Sequence, residues 1–157
     1  MNVDSKALRV YALVMLPVVL AAAWFVFRYE RRPASVPIAP GGVAVTVGSR
    51  TFSAEVADTI ASRKLGLGER DSLCASCTML FRFDVPGKYG FWMKGMRFPL
   101  DIAWIRDGKI VFIEKNIPAD STAIMTPDVD ATEVLETNAG ALSDVVVGDE
   151  IAIESDR

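Results

Sequence analysis

Residues 90–101 of this chain read Gly90-Phe91-Trp92-Met93-Lys94-Gly95-Met96-Arg97-Phe98-Pro99-Leu100-Asp101. Two cations and one carboxylate stand among three aromatics, two methionines and a proline. A solvated loop has no use for so much apolar surface. A core strand has none for Lys94, Arg97 and Asp101, whose charges are costly to bury. The mixture fits either the wall of a pocket or a strand whose charges pair at a rim. Alternation from Phe91 puts Phe91 and Met93 on one face and Trp92 and Lys94 on the other. Trp92 and Phe98 are then expected to serve folding, and Lys94 function.

Working outward, residues 43–47 and 51–56 alternate apolar and polar about Gly48-Ser49-Arg50, the pattern of a β-hairpin. Asp58 or Thr59 caps a short helix that runs to Leu65 and stops at Gly66. Residues 78–83 and 89–93 read as strands either side of an Asp84-Val85-Pro86-Gly87 turn. Residues 101–105 and 109–114 form a second hairpin through Asp107-Gly108. Residues 116–130 are irregular, 133–137 a strand, 139–145 a short helix and 150–154 the last strand. Many short strands with two short helices predict a mainly β (α+β) domain, folded as a compact, partly closed barrel.

Ahead of this domain, residues 10–27 form an unbroken run of 18 residues without a charge. As a helix at about 1.5 Å per residue it spans roughly 27 Å, the thickness of a bilayer core. Pro17 is tolerated in a membrane helix, Trp24 and Tyr29 suit the interface, and Arg28, Arg31 and Arg32 make a basic stop. The reading is a tail at 1–9, a single transmembrane anchor at 10–27, a basic stop and Pro-rich linker at 28–42, and the β domain at 43–157. The rival is a cleaved signal peptide, with Lys6 and Arg9 before the apolar run and Ala21-Ala22-Ala23 as the cleavage site. The positive charges flanking the run are nearly balanced and lean slightly toward a cytoplasmic domain.

Charge is uneven along the domain. Residues 50–115 hold eleven Lys/Arg against eight Asp/Glu, whereas residues 116–156 hold ten acids and no base. With a pI of about 5.0 and no basic surface clear of acids, a nucleic-acid partner is not expected. The chain has no histidine, which removes Ser-His-Asp chemistry, and it has no Walker or Rossmann glycine pattern. Asp128-Val129-Asp130-Ala131-Thr132-Glu133 lacks the third acid and the glycine of an EF-hand loop. Cys74-Ala75-Ser76-Cys77 contains the only cysteines. A zinc site would need carboxylates or a second chain, and the setting is not the strand-to-helix start of a thioredoxin motif. A small disulfide, free thiols and a redox or shared-metal role stay open for Cys74 and Cys77.

Several blocks, in order, resemble the DUF192 (UPF0127) family. They are Glu55-Val56-Ala57-Asp58-Thr59, the Arg-x-x-Gly-Leu stretch at 63–67, Met79-Leu80-Phe81, the Phe-Trp-Met-Lys and Pro-Leu-Asp segments, Val134-Leu135-Glu136, Ala139-Gly140 and Gly148-Asp149. Three places depart from the family pattern: Thr78 replaces Gly, Gly68 replaces Met, and Gly95-Met96 replaces Asn-Thr. The resemblance implies a fold rather than a reaction. Its relatives commonly carry an export signal, which together with the Pro-spaced stalk and the cysteine pair places the domain outside the cytoplasm.

Candidate ligand-binding residues are Trp92, Lys94, Arg97, Asp101 and Glu136. Lys94 is suited to an anionic group, with Asp101 or Glu136 as proton acceptor; the bland alternative is a rim salt bridge. Gly148-Asp149 reads as turn chemistry. No cofactor or metal is expected, and no catalytic residue stands out. The functional expectation is a membrane-anchored, extracytoplasmic binding module for a small molecule or protein, working through the surface at 91–101, with the bilayer as its other partner. The alternatives are an enzyme using Lys94 with a carboxylate, and a CxxC redox protein.

Overall fold

The computed structural model describes residues 41–155. The apolar run at 10–27 and most of the linker lie outside them. Among the described residues no helix is long and apolar enough to cross a membrane.

Strands β1 (Val43–Val47) and β2 (Arg50–Ala57) form the expected hairpin, with Val47 opposite Arg50. Gly48 takes a positive φ of 58° at the turn, a conformation glycine adopts without steric cost. Helix α1 (Ile60–Leu65) follows. Thr59 is its cap, since its side chain accepts the Ser62 N–H while Ser62 Oγ accepts the Thr59 N–H. These reciprocal bonds satisfy donors that a helix start leaves open. The helix ends at Gly66 and serves as the crossover that lets β3 (Cys77–Gly87) run parallel to β2.

The turn expected at 84–87 is absent, because β3 continues through it. Its partner β8 (Ala131–Asn138) extends far enough to pair Gly87 with Ala131, past an irregularity after Arg82 that accommodates Pro86. The strand expected at 89–93 shrinks to β4 (Phe91–Trp92). It leaves the main sheet and pairs with β7 (Ile124–Met125), a two-residue strand inside the segment expected to be irregular. Between them, β5 (Leu100–Arg106) and β6 (Lys109–Ile117) form the second hairpin. Asp107 and Gly108 both have positive φ there, as a twisted two-residue hairpin loop requires.

The helix expected at 139–145 is also absent. Bonds three residues apart, from the 141, 143 and 145 amides to the 138, 140 and 142 carbonyls, make consecutive turns instead. Gly140 sits at φ 82°, and the Leu142 N–H is taken by the Asp101 side chain, so a helical ladder cannot propagate through this segment. Strand β9 (Ile151–Ser155) closes the order.

The seven-stranded sheet runs β6-β5-β8-β3-β2-β1-β9. Its two edges meet at one end, where Lys109 bridges Glu150, the Ile110 N–H donates to Asp149 O and the Ile151 N–H donates to Gly108 O. The sheet is therefore a curled half-barrel with very little helix. Period-two alternation divides its side chains between two cores. Val45, Phe52, Leu80, Ile105 and Leu135 fill one face, while Phe81, Trp104 and Val134 point to the other. That second face is covered by Leu67, Met93 and the half-buried Phe91, Met96 and Phe98. The functional interest lies under this cover.

Candidate functional site

Strand β8 carries the unusual group. Its run Val134-Leu135-Glu136-Thr137 is buried throughout, and Glu136 lies between Met79 of β3 and Ile102 of β5. Glu136 is only 5% exposed. Its Oε2 has no hydrogen-bond partner, the one such buried side-chain atom among the described residues. An unpartnered polar atom in an interior costs of the order of 1–3 kcal/mol, so its presence calls for an explanation.

Burial pushes the Glu136 carboxyl up to about 8, against the opposing pull of the Arg70 charge. Arg70 spends most of its guanidinium elsewhere, since Nη1 and Nη2 donate to Glu55 Oε1 and Oε2 at 2.7 and 2.8 Å. That fork holds the Glu55 carboxyl below its ordinary value. Below about pH 8 Glu136 is mainly the neutral acid, with an O–H to donate and a carbonyl to accept.

Glu136 borders a cavity of 140 Å³ that opens between α1, β4 and the segment at 66–68. Phe81, Phe91 and Trp92 supply aromatic walls, and Arg63, Lys64 and Lys94 supply cationic ones. Two hollows elsewhere measure 380 and 360 Å³. They are more open, and neither borders an unpartnered buried polar atom, so size does not choose the site.

Local backbone explains why the space exists. Gly66, at φ 54°, ends the helix beside Glu136. A Cβ added there would stand 3.4 Å from the Phe81 ring and 3.9 Å from Glu136 Oε2. Gly68 is more confined, since a Cβ on it would meet the Leu65 carbonyl at 3.0 Å. The Glu69 N–H donates to Gly95 O at 3.0 Å, which ties one rim of the cavity to the turn bearing Lys94. Phe91 packs edge-on against Phe81 and Trp104, and the buried Trp104 donates its Nε1–H to Tyr89 O at 2.7 Å. The inner half of the β4 wall is thereby immobilised.

The residues singled out from the sequence do not all converge. Trp92, Lys94 and Glu136 line the cavity; Arg97 and Asp101 do not. Arg97 is exposed and bonded to Asp71. Asp101 is fully buried, and its two oxygens accept the Asn116 and Leu142 backbone N–H groups at 2.7 and 2.9 Å. Its work is to hold β6 and the 139–145 turns together. Trp92, expected to be core, is 56% exposed, because β4 pairs only with β7 and leaves its outer face uncovered. Cys74 and Cys77 are joined in a disulfide, in a loop held by Asn138 Nδ2 donating to the Leu73 and Cys74 carbonyls. No group of three or more metal-ligating side chains is assembled among the described residues.

The family model of DUF192, described as "Uncharacterized ACR", matches residues 43–153. The chain belongs to the DUF192 family. A solved structure of a proposed transcription regulator from Sinorhizobium meliloti 1021 is similar, with a TM-score of 0.68 and 30% identity over 76% of this chain and 98% of that one. A protein of unknown function from Novosphingobium aromaticivorans DSM 12444 is similar too, with a TM-score of 0.66 and 28% identity over 78% of this chain and 95% of that one. No curated protein matches the chain. Two of this member's departures from the DUF192 pattern fall at the cavity: Gly68 and Met96 both line it.

Arg63, Lys64, Gly66 and Phe81 were not apparent as site residues in the sequence. One signal was available. A glutamate placed on the core-facing alternation of an otherwise buried strand marks a cavity or a pair, and Gly66 is the residue that leaves room for it.

Proposed function

We propose that this DUF192 domain is a binding module for a small molecule, and that its site is the cavity at Glu136. The observation that carries the reading is Glu136, a residue only 5% exposed that lines the cavity and whose buried Oε2 has no hydrogen-bond partner. A ligand hydrogen bond there would recover what burial forfeits, and an exposed Trp92 at the mouth offers a flat apolar contact. A ligand-detected NMR screen of small polar fragments against the full-length protein tests the reading. Fragments should bind the native protein and lose binding to Glu136→Leu, which keeps the side-chain volume and removes the carboxyl. Equal binding to both proteins would overturn it.

A nucleic-acid role, in the direction of the Sinorhizobium protein's description, has less support in the charges. Arg50, Arg70, Arg82, Arg97 and Arg106 each face a carboxylate, so these five arginines are not free for phosphates. The reading also includes tethering to a membrane through residues 10–27, with the domain outside the cytoplasm. The 18-residue apolar run and the Cys74–Cys77 bond support it, since disulfides persist in oxidising compartments. Carbonate extraction and thiol alkylation of intact cells would test both halves.

A further inference from the structure

The cavity has a sign. The charged groups lining it are Arg63, Lys64, Lys94 and Glu136. The Lys64 and Lys94 side chains are exposed and take no hydrogen bond or ion pair among the described residues. Arg63 is held by carbonyl oxygens, those of Asp58 at 2.7 Å and Arg82 at 2.5 Å, with its guanidinium 5.2 Å from the Phe83 ring centroid. None of these contacts neutralises its charge. Three positive groups therefore surround a site whose single acid is enclosed.

The other groups packed around Glu136 do not reverse that balance. From β3 come Met79 and Phe81, and from β5 Ile102, all apolar. From the 66–76 loop comes Arg70, already paired with Glu55 of β2. A cationic ligand would meet three like charges. A neutral ligand would leave the two lysines without use. The space itself, 140 Å³, is close to a cavity of about 150 Å³ that accepts one benzene ring.

We infer that the cavity takes a small organic acid in its ionised form, a carboxylate on an apolar or aromatic body of about one ring. This rests on the cavity being a ligand site. The ligand carboxylate accepts the Glu136 O–H, a charge-assisted bond that satisfies the unpartnered oxygen's group. Arg63, Lys64 and Lys94 balance its charge, and Phe91 and Trp92 contact its body. The bond needs the Glu136 proton, so the site is anion-selective only while that carboxyl is neutral.

Isothermal titration of the full-length protein, kept soluble in a mild nonionic detergent, with benzoate, benzylamine and benzyl alcohol tests the inference on one ring with three charges. Benzoate should bind at least about tenfold more tightly than the other two near about pH 6. Its affinity should fall about tenfold by about pH 9, as Glu136 ionises and repels it. Glu136→Gln, which keeps a hydrogen-bond donor but cannot ionise, should bind benzoate without that decline. Lys64→Met with Lys94→Met should weaken benzoate, with a thermal midpoint close to the native protein's showing that the variant is folded. Preference for benzylamine, or benzoate binding that strengthens as pH rises, overturns the anion and leaves the cavity as a ligand site. Silence from all three probes together with a blank fragment screen overturns the site itself.

Discussion

Asp101 and Leu142 are joined across the fold by a buried hydrogen bond, the Leu142 N–H donating to Oδ2 of Asp101 at 2.9 Å. Through Oδ1 the same side chain accepts the Asn116 N–H, where the backbone has a φ of 54°. One carboxylate thus fixes the register irregularity near the end of β6 and the turns at 139–145. Asp101→Asn retains a single acceptor and turns an N–H₂ toward one of the donors. It should cost about 1–3 kcal/mol, read by urea denaturation, and Asp101→Ala should cost more. Because Asp101 does not border the cavity, whatever fragment binding exists should survive in the folded fraction of Asp101→Asn. Loss of binding at unchanged stability would return Asp101 to the site.

Glu136 makes stability depend on pH in a direction opposite to that of a salt-bridged carboxylate. Its carboxyl titrates near 4.5 in the unfolded chain and at about 8 in the folded domain. Between those values the folded state binds the extra proton, so stability declines as pH rises through the window and the full penalty is present above it. Glu136→Gln removes the titration. Its thermal midpoint should gain on the native protein from about pH 5 to about pH 8, at up to about 1.4 kcal/mol per pH unit, with no further gain above. Parallel melting curves across the window would show that Glu136 is charged or solvated in the folded state.

Trp92 and Trp104 should respond oppositely to truncation. Trp104 is fully buried and bonded through its ring nitrogen, so Trp104→Ala should cost about 3–5 kcal/mol or prevent folding. Trp92 is exposed, and Trp92→Ala should stay within about 1 kcal/mol of the native stability while weakening any ligand that contacts the mouth. Urea denaturation of the two variants, set beside fragment binding to Trp92→Ala, checks both. A large stability loss from Trp92→Ala would mean that another part of the protein covers that ring.

The Cys74–Cys77 bond closes a loop with a sequence separation of 3. Little chain entropy is removed by so short a closure, so the contribution belongs at the low end of about 0–5 kcal/mol. Asn138 holds the same loop independently through two carbonyls. Replacing both cysteines by serine should therefore leave the domain folded, with a midpoint shift of a few degrees at most in differential scanning calorimetry. Unfolding of the variant would make the disulfide, rather than Asn138, the anchor of the loop.

What the sequence determined by itself is what depends on neighbours along the chain. Alternation marked the first hairpin and Asp107-Gly108 the second, and Asp58 or Thr59 with Gly66 bounded the helix before Gly66, because each of these is decided within a few residues. Alternation also separated Phe91 and Met93 from Trp92 and Lys94, the division the structure has. Which of the two faces is covered was not a local matter. Trp92 is exposed because β4 leaves the sheet to pair with β7, a partner far along the chain. The helix at 139–145 failed because a carboxylate from β5 claims one of its amides, and the turn at 84–87 failed because β8 is long enough to pair beyond it. Of the five polar and aromatic candidates, Trp92, Lys94 and Glu136 meet at the cavity and Arg97 and Asp101 do not. Residue type signals that a charge is unusual in its setting, but only tertiary structure decides whether it is satisfied. Asp101 is satisfied by two backbone amides; Glu136, also buried, keeps an oxygen with no hydrogen-bond partner.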